Sequence, residues 1–411
     1  LMLFNNDWTC YDYGNVTWSE LPQKYIDMGL TNESQYNLVY GDEKVGRISG
    51  RIVDALAAQV ALFAASPAYS DQSGVDWKDA AEMAAKVLDE NNGVAGLAPE
   101  GNTWYCNTTE IELCKSNGNP AEIIWRENVN HSANWEGELY PVSLGGTQKV
   151  NPTQNLVDAF PMINGYPIDD PNSKYDPQNP YANRDPRFDL YIVHDGSVFG
   201  PYGSKINTTI DKSNNMDGLD MSTTTPNRTG YLMRKFINEK AEPDRTKNPS
   251  GNGQKGMAGK DKYNARIRYT EIYLAFAEAA NEAYGPTAAS PSGYSAYDVI
   301  KAIRQRGGIK NDEYLESIKS DKDKMRDLIR NERRIELCFE GHRFWDLRRW
   351  KANLNEPVKA MQIKTEGGKK VYKVVDVTNE QRAYRDYMYY GPLPESEIMK
   401  WSNLLQNDGW N

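Results

Sequence analysis

Five aromatic residues, Trp8, Trp18, Trp104, Trp135 and Tyr202, stand in polar, loop-like surroundings such as "NNDWTCYDYGN", "EGNTWYCN", "SANWEGE" and "FGPYGS". A ring flanked by Asn, Asp and Gln suits a sugar. The ring covers the apolar C–H face, while amides and carboxylates bond the hydroxyls. The plainer alternative is that each ring anchors its own loop to a scaffold. Composition allows either, with 26 Tyr and 10 Trp against 9 Phe. Tyr and Trp carry a polar handle that suits wet surfaces better than dry cores.

Other chemistry is faintly marked. The run "DKSNNMDGLD" (211–220) places Asp211, Asn215 and Asp217 as alternating oxygen donors, as calcium loops do. Met216 stands where such a loop starting at Asp211 needs glycine, and no closing Glu follows. The run therefore predicts an Asn/Asp turn, with a non-standard calcium site left open. The spacing GxGxxG occurs at Gly251, Gly253 and Gly256, but it follows a polar loop instead of a strand, so it predicts no nucleotide site. His131, His194 and His342 lie in separate segments, without the spacing of a zinc enzyme. Among 57 acids no carboxylate pair stands out for glycoside hydrolysis. No catalytic residue and no cofactor are expected. Cys106 and Cys114 share a polar loop, leaving a disulfide and two free thiols both open.

Such loops need a scaffold, and the apolar pattern supplies one. A chain of 411 residues exceeds the size at which single cores usually stop growing. Residues 46–70 predict a helix with Ile52, Leu56, Val60 and Phe63 at helical spacing and Pro67 as its stop. A second helix follows, with Asp76 as N-cap and Gly93 as its end. The pair resembles a tetratricopeptide hairpin. Residues 265–285 and 295–308 predict another pair, and a further helix runs on from Lys322. Between them lies a segment rich in Gly, Pro, Asn and Asp, with strand-like runs "AEIIWREN" and "RFDLYIVHDG". The expected fold is mainly α: tetratricopeptide-like helix pairs carrying a large irregular, loop-rich lobe with short strands. Expected boundaries are 1–93 for the N-terminal helix pair, 94–262 for the lobe, 263–351 for the later helices and 352–411 for an extended tail. In that tail Glu395 or Ser396 would start a short helix. The net charge of −9 argues against a general nucleic-acid binder. No apolar run approaches the ~20 residues that span a bilayer.

One stretch concentrates charge: "NERRIELCFEGHRFWDLRRW", residues 331–350. Read as one helix, it turns Ile335, Cys338, Phe339, His342 and Trp345 inward. Arg333 would then pair with Glu336, Glu340 with Arg343, and Asp346 with Arg349, each three residues apart. Alternating signs predict a self-paired strut, with the binding chemistry elsewhere, in the loops of 94–262.

That stretch resembles the C-terminal signature of the SusD-like (RagB/SusD) family of Bacteroidota outer-membrane lipoproteins. Further matching stretches follow in order: "GRISGRIVDALAAQVALFAASPAYS", "NPTQNLVDAFPMINGYPI", "PYANRDPRFDLYIVHDG", "RYTEIYLAFAEAANEAYG", "VIKAIRQRGGI" and "YYGPLPESEIMKWSNLLQNDGW". The resemblance implies a non-catalytic cell-surface protein that binds a glycan and sits as a lid over a SusC-type TonB-dependent transporter. A peptide-importing relative and, on acid and aromatic content alone, a glycoside hydrolase are the alternatives. It also implies a surface-exposed outer-membrane location through a lipid anchor that this chain does not contain. The family's opening portion is expected to be missing, and with it part of the binding surface.

Overall fold

The computed structural model describes residues 48–116, 118–242, 257–380 and 382–410, together with the backbone of two paired strands, Met2–Phe4 (β1) and Cys10–Asp12 (β2). Trp8, Trp18 and the GxGxxG run lie outside the described residues.

Helix α1, Gly50–Ala65, starts where Ser49 Oγ accepts the Ile52 N–H and ends at Ser66, just before Pro67. Its buried face is Ile52, Ala55, Ala58, Ala61, Leu62 and Ala65. Val60, expected on that face, points to solvent. Helix α2, Trp77–Glu90, opens on a capping box in which Asp76 and Asp79 each accept the other's backbone N–H. It buries Ala80, Ala81, Ala84, Ala85, Val87 and Leu88. Alanine against alanine keeps the two helices close.

The lobe follows. Helices α3 (Thr108–Lys115), α4 (Asn134–Leu139) and α5 (Gln154–Ala159) alternate with strands β3 (Ile123–Arg126) and β4 (Asn130–Ser132). The run expected as a strand at 187–196 begins as helix α6, Pro186–Tyr191, and only Ile192–Val193 (β5) is extended. Asp185 accepts the Arg187 N–H and Pro186 takes the first helical position, a start signal that outweighed the β-prone residues after it. Val198–Phe199 (β6) pairs with Ser204–Lys205 (β7), and β5 pairs with Leu232–Met233 (β8). Strands Lys260–Lys262 (β9) and Ala265–Arg268 (β10) return to pair antiparallel with β4 and β3.

Strand β10 runs straight into helix α7, Tyr269–Tyr284, in which every residue from Tyr269 to Asn281 is buried. It is the central post, packed by α1, α2, α8 (Ala296–Arg306) and α10 (Lys322–Glu336), with the short α9 (Glu313–Ile318) alongside α10. The charged stretch is two helices, not one. Chain direction changes after α10 through Phe339 at φ 66° and Gly341 at φ 85°, and α11 runs His342–Arg349. Residues 352–411, expected as an extended tail, hold a regular hairpin, Lys359–Glu366 (β11) against Lys369–Asp376 (β12). Gly367 and Gly368, both at positive φ, make its two-residue turn. A short helix, α12 at Glu395–Ile398, starts where expected.

Two apolar cores result. The helical core gathers α1, α2, α7, α8 and α10. The second is aromatic, built on Tyr140, Phe160, Phe188, Tyr191, Phe199 and Tyr231, and receives Met361 and Ile363 from β11. Ile335 and Cys338 enter the second core while Leu337 enters the first, so the end of α10 lies between them.

Candidate ligand site

Of the rings expected to stack on a sugar, Trp104 is 3% exposed, enclosed by Tyr105, Phe236 and Tyr263. It is a core residue. Trp135 is half-buried: its ring meets Phe236 edge to face at 5.0 Å, and Lys262 Nζ sits 5.1 Å from its centre. One face is already taken by a cation. Tyr202, in the turn joining β6 and β7, is 65% exposed. The three residues of the calcium-like run turn to separate partners. Asp211 accepts from Thr365, Asn215 donates to the carbonyls of Asn207 and Thr209, and Asp217 accepts from Ser143. Among the described residues no cluster of His, Cys, Asp and Glu forms a metal site. Cys106 and Cys114 are free thiols, each pushed up to about 11 by burial.

The signature acids find their cations mostly outside the signature. Glu336, fully buried, accepts from Arg187 Nη1 at 2.9 Å and Arg306 Nη2 at 2.8 Å, with Arg268 at 3.4 Å. Glu340 accepts from Arg268 Nε at 2.7 Å and Lys235 Nζ at 2.6 Å. Glu332 bridges Arg187 and Arg304. The pairs expected between Arg333 and Glu336 and between Glu340 and Arg343 do not form. Arg333 instead reaches Asp346 at 3.0 Å across the break, and Arg349 binds both Asp346 and Glu278, the latter through two bonds of 2.6 Å. Only the Asp346–Arg349 pair is as the sequence spacing predicts. Burial alone would raise the Glu340 and Asp346 carboxyls. Arg268 and Lys235 beside the one, and Arg333 and Arg349 beside the other, hold each down to about 2. Such groups stay ionised and are already hydrogen-bonded, so they position helices and are unsuited to proton transfer.

The break also reverses the expected facing of α11. Trp345 is 53% exposed, not inward, and Trp350 is the buried indole, donating Nε1–H to Glu278 at 2.6 Å. Turned this way, α11 helps to wall a groove of about 390 Å³ between α5, α11 and the 354–384 segment. Four arginines, Arg334, Arg343, Arg348 and Arg382, line it with one acid, Glu356. Arg348 sits over Phe344, its guanidinium carbon 3.4 Å from the ring centre, and 5.4 Å from that of Tyr384. Phe344 still keeps 49% of its surface exposed, with Trp345 edge-on to it at 5.0 Å. Sequence reasoning missed this groove because it carried one helical phase through Gly341. With the phase restarted at His342, Arg343, Phe344, Leu347 and Arg348 share one face. A second groove, about 460 Å³, lies between α2 and the loop after α7. Two of its charges are engaged: Asp89 accepts from Ser292 and Tyr294, and Lys86 pairs with Asp54.

Comparison with known proteins places these features in context. The family model described as the SusD family matches residues 111–410. A SusD-like protein of Bacteroides fragilis has a solved structure that superposes with TM-score 0.64 at 25% identity, covering 94% of this chain and 71% of its own. A SusD-like carbohydrate binding protein from the same species gives TM-score 0.63 at 22% identity, covering 88% of this chain and 66% of its own. A SusD superfamily protein of Bacteroides vulgatus gives 0.53 at 18%, covering 96% and 66%. No curated protein matches the chain.

Proposed function

Because the chain belongs to the SusD family, we propose that it is a non-catalytic glycan-binding protein of the cell surface, handing oligosaccharide to a SusC-type TonB-dependent transporter in the outer membrane. The family match over residues 111–410 carries this reading. The groove beside α11 supports it: an exposed ring next to charged donors is the pairing that sugars require. The state of the acids supports the absence of catalysis. Glu336, Glu340 and Asp346 are each neutralised by buried cations. Glu110, raised to about 7 by burial and by Glu122 and Glu100, lines neither groove. Among the described residues no helix is long and apolar enough to cross a membrane, and an anchored surface location is part of the same proposal.

Calorimetric titration with a panel of oligosaccharides, followed by a reducing-end assay on the same mixtures, tests both halves. Binding without new reducing ends is expected. Product formation abolished by a single carboxylate substitution would make the protein a hydrolase. Affinity for peptides with none for any oligosaccharide would remove the glycan.

A further inference from the structure

The groove beside α11 has an unusual charge balance for a chain of net charge −9. Its wall carries four arginines and one glutamate. Arg334 and Glu356 are 3.7 Å apart, a loose ion pair. Arg343 and Arg382 have no hydrogen-bond or ion-pair partner among the described residues. Two further acids act on these arginines, and both are engaged: Asp158 accepts from Gln154 Nε2 at 2.6 Å, and Asp346 is paired with Arg333 and Arg349. Burial, and next the neighbouring Arg334, push Arg343 down to about 10.

The amides of the wall are largely engaged. Asn155 donates to Pro357 O at 3.0 Å and accepts the Lys359 N–H at 2.9 Å. Asn151 donates to the carbonyls of Gln148 and Tyr231 and accepts the Arg228 N–H. Thr153 Oγ1 caps α5 by accepting the Leu156 N–H. What the groove offers a ligand is therefore chiefly guanidinium N–H and the ring of Phe344, with the hydroxyls of Thr153 and Tyr384 beside them. A neutral sugar would leave those cations partly desolvated and unpaired, which is unfavourable. A carboxylate or sulfate fills the fork of a guanidinium with two parallel bonds.

We propose that this groove is a subsite for an acidic sugar, a uronate carboxylate or a sulfate ester seated on Arg343 and Arg382, with the adjoining sugar ring against Phe344. The proposal rests on the glycan-binding reading above and narrows it to one ligand charge.

The test is calorimetry on the full chain with four probes: tetragalacturonate, its carboxyl-reduced neutral counterpart, a κ-carrageenan tetrasaccharide (sulfate esters and no carboxylate) and a poly-glutamate peptide. Two double variants accompany it, Arg343→Gln with Arg382→Gln, and Arg343→Lys with Arg382→Lys. Neither arginine holds another described element, so melting temperatures should match that of the unaltered protein. At least one charged tetrasaccharide is expected to bind, more weakly as salt is added. The glutamine pair should weaken it by about tenfold or more, and the lysine pair should restore most of that loss. The two charged sugars tell a carboxylate subsite from a sulfate one. Equal affinity for the neutral counterpart, or charged-sugar affinity indifferent to the glutamine pair, would overturn the acidic subsite and leave glycan binding intact. Binding of the peptide alone would overturn it in favour of a protein ligand. Absence of binding by all three sugars would overturn the acidic subsite, while the oligosaccharide panel decides the glycan reading separately.

Discussion

Glu340 and Asp346 show what a single buried carboxylate contributes here. Each is surrounded by cations, Arg268 and Lys235 for the first, Arg333 and Arg349 for the second. Both are held near 2 in the fold against ordinary values of 4.5 and 3.8. The unfolded chain therefore binds protons that the folded chain refuses as pH falls below about 4.5. Their stabilisation is fully present above that pH and is lost as pH drops through about 2. It amounts to an order of ~2–3 kcal/mol for each group. Urea midpoints measured from pH 6 down to pH 2.5 should fall steeply below pH 4.5. In Asp346→Asn the midpoint should be lower at pH 6 but decline less steeply below it. A variant with an unchanged slope would show that Asp346 is not titrating in this window.

Among the elements, the turn between α10 and α11 governs the most. Gly341 sits at φ 85° with no atom within 4 Å of where a Cβ would lie. Gly341→Ala therefore changes the backbone term alone, and a loss of about 1 kcal/mol is expected in denaturant unfolding. No measurable loss would mean that the helix restart does not depend on this glycine. The same turn explains which elements were legible in the sequence. Helices α1, α2, α7 and α8 announced themselves through periodicity and caps, Asp76 most clearly. The turn did not, because Phe339 at φ 66° is a bulky residue in a conformation that its type does not signal. Carrying one helical phase across it turned Trp345 inward and hid the groove. The hairpin of β11 and β12 was marked by Gly367-Gly368 between extended runs, a signal present but passed over.

In the whole molecule, the buried ions connect the two cores. Arg187 comes from α6 in the loop-rich lobe, and its partners Glu332 and Glu336 come from α10 in the helical scaffold. Lys235 of the lobe likewise reaches Glu340 and the carbonyl of Glu336. Separating the cores would break several buried, hydrogen-bonded ion pairs at once. A single calorimetric transition is expected, coincident by tryptophan fluorescence and far-ultraviolet circular dichroism; two resolved transitions would show that the cores unfold separately. These long-range pairs were beyond sequence reasoning, since spacing reports only neighbours along one helix. The burial of Trp104 was missed for a related reason: it has polar neighbours in sequence and aromatic ones in space. The tethered amides of Asn151 and Asn155 have one more effect. With its amides largely tied to the backbone, the wall would tell axial from equatorial hydroxyls of a bound sugar only weakly. Selection would then fall on the interval between charges along the ligand, so stereoisomers sharing that interval would compete on nearly equal terms, as against a ruler and not a mould.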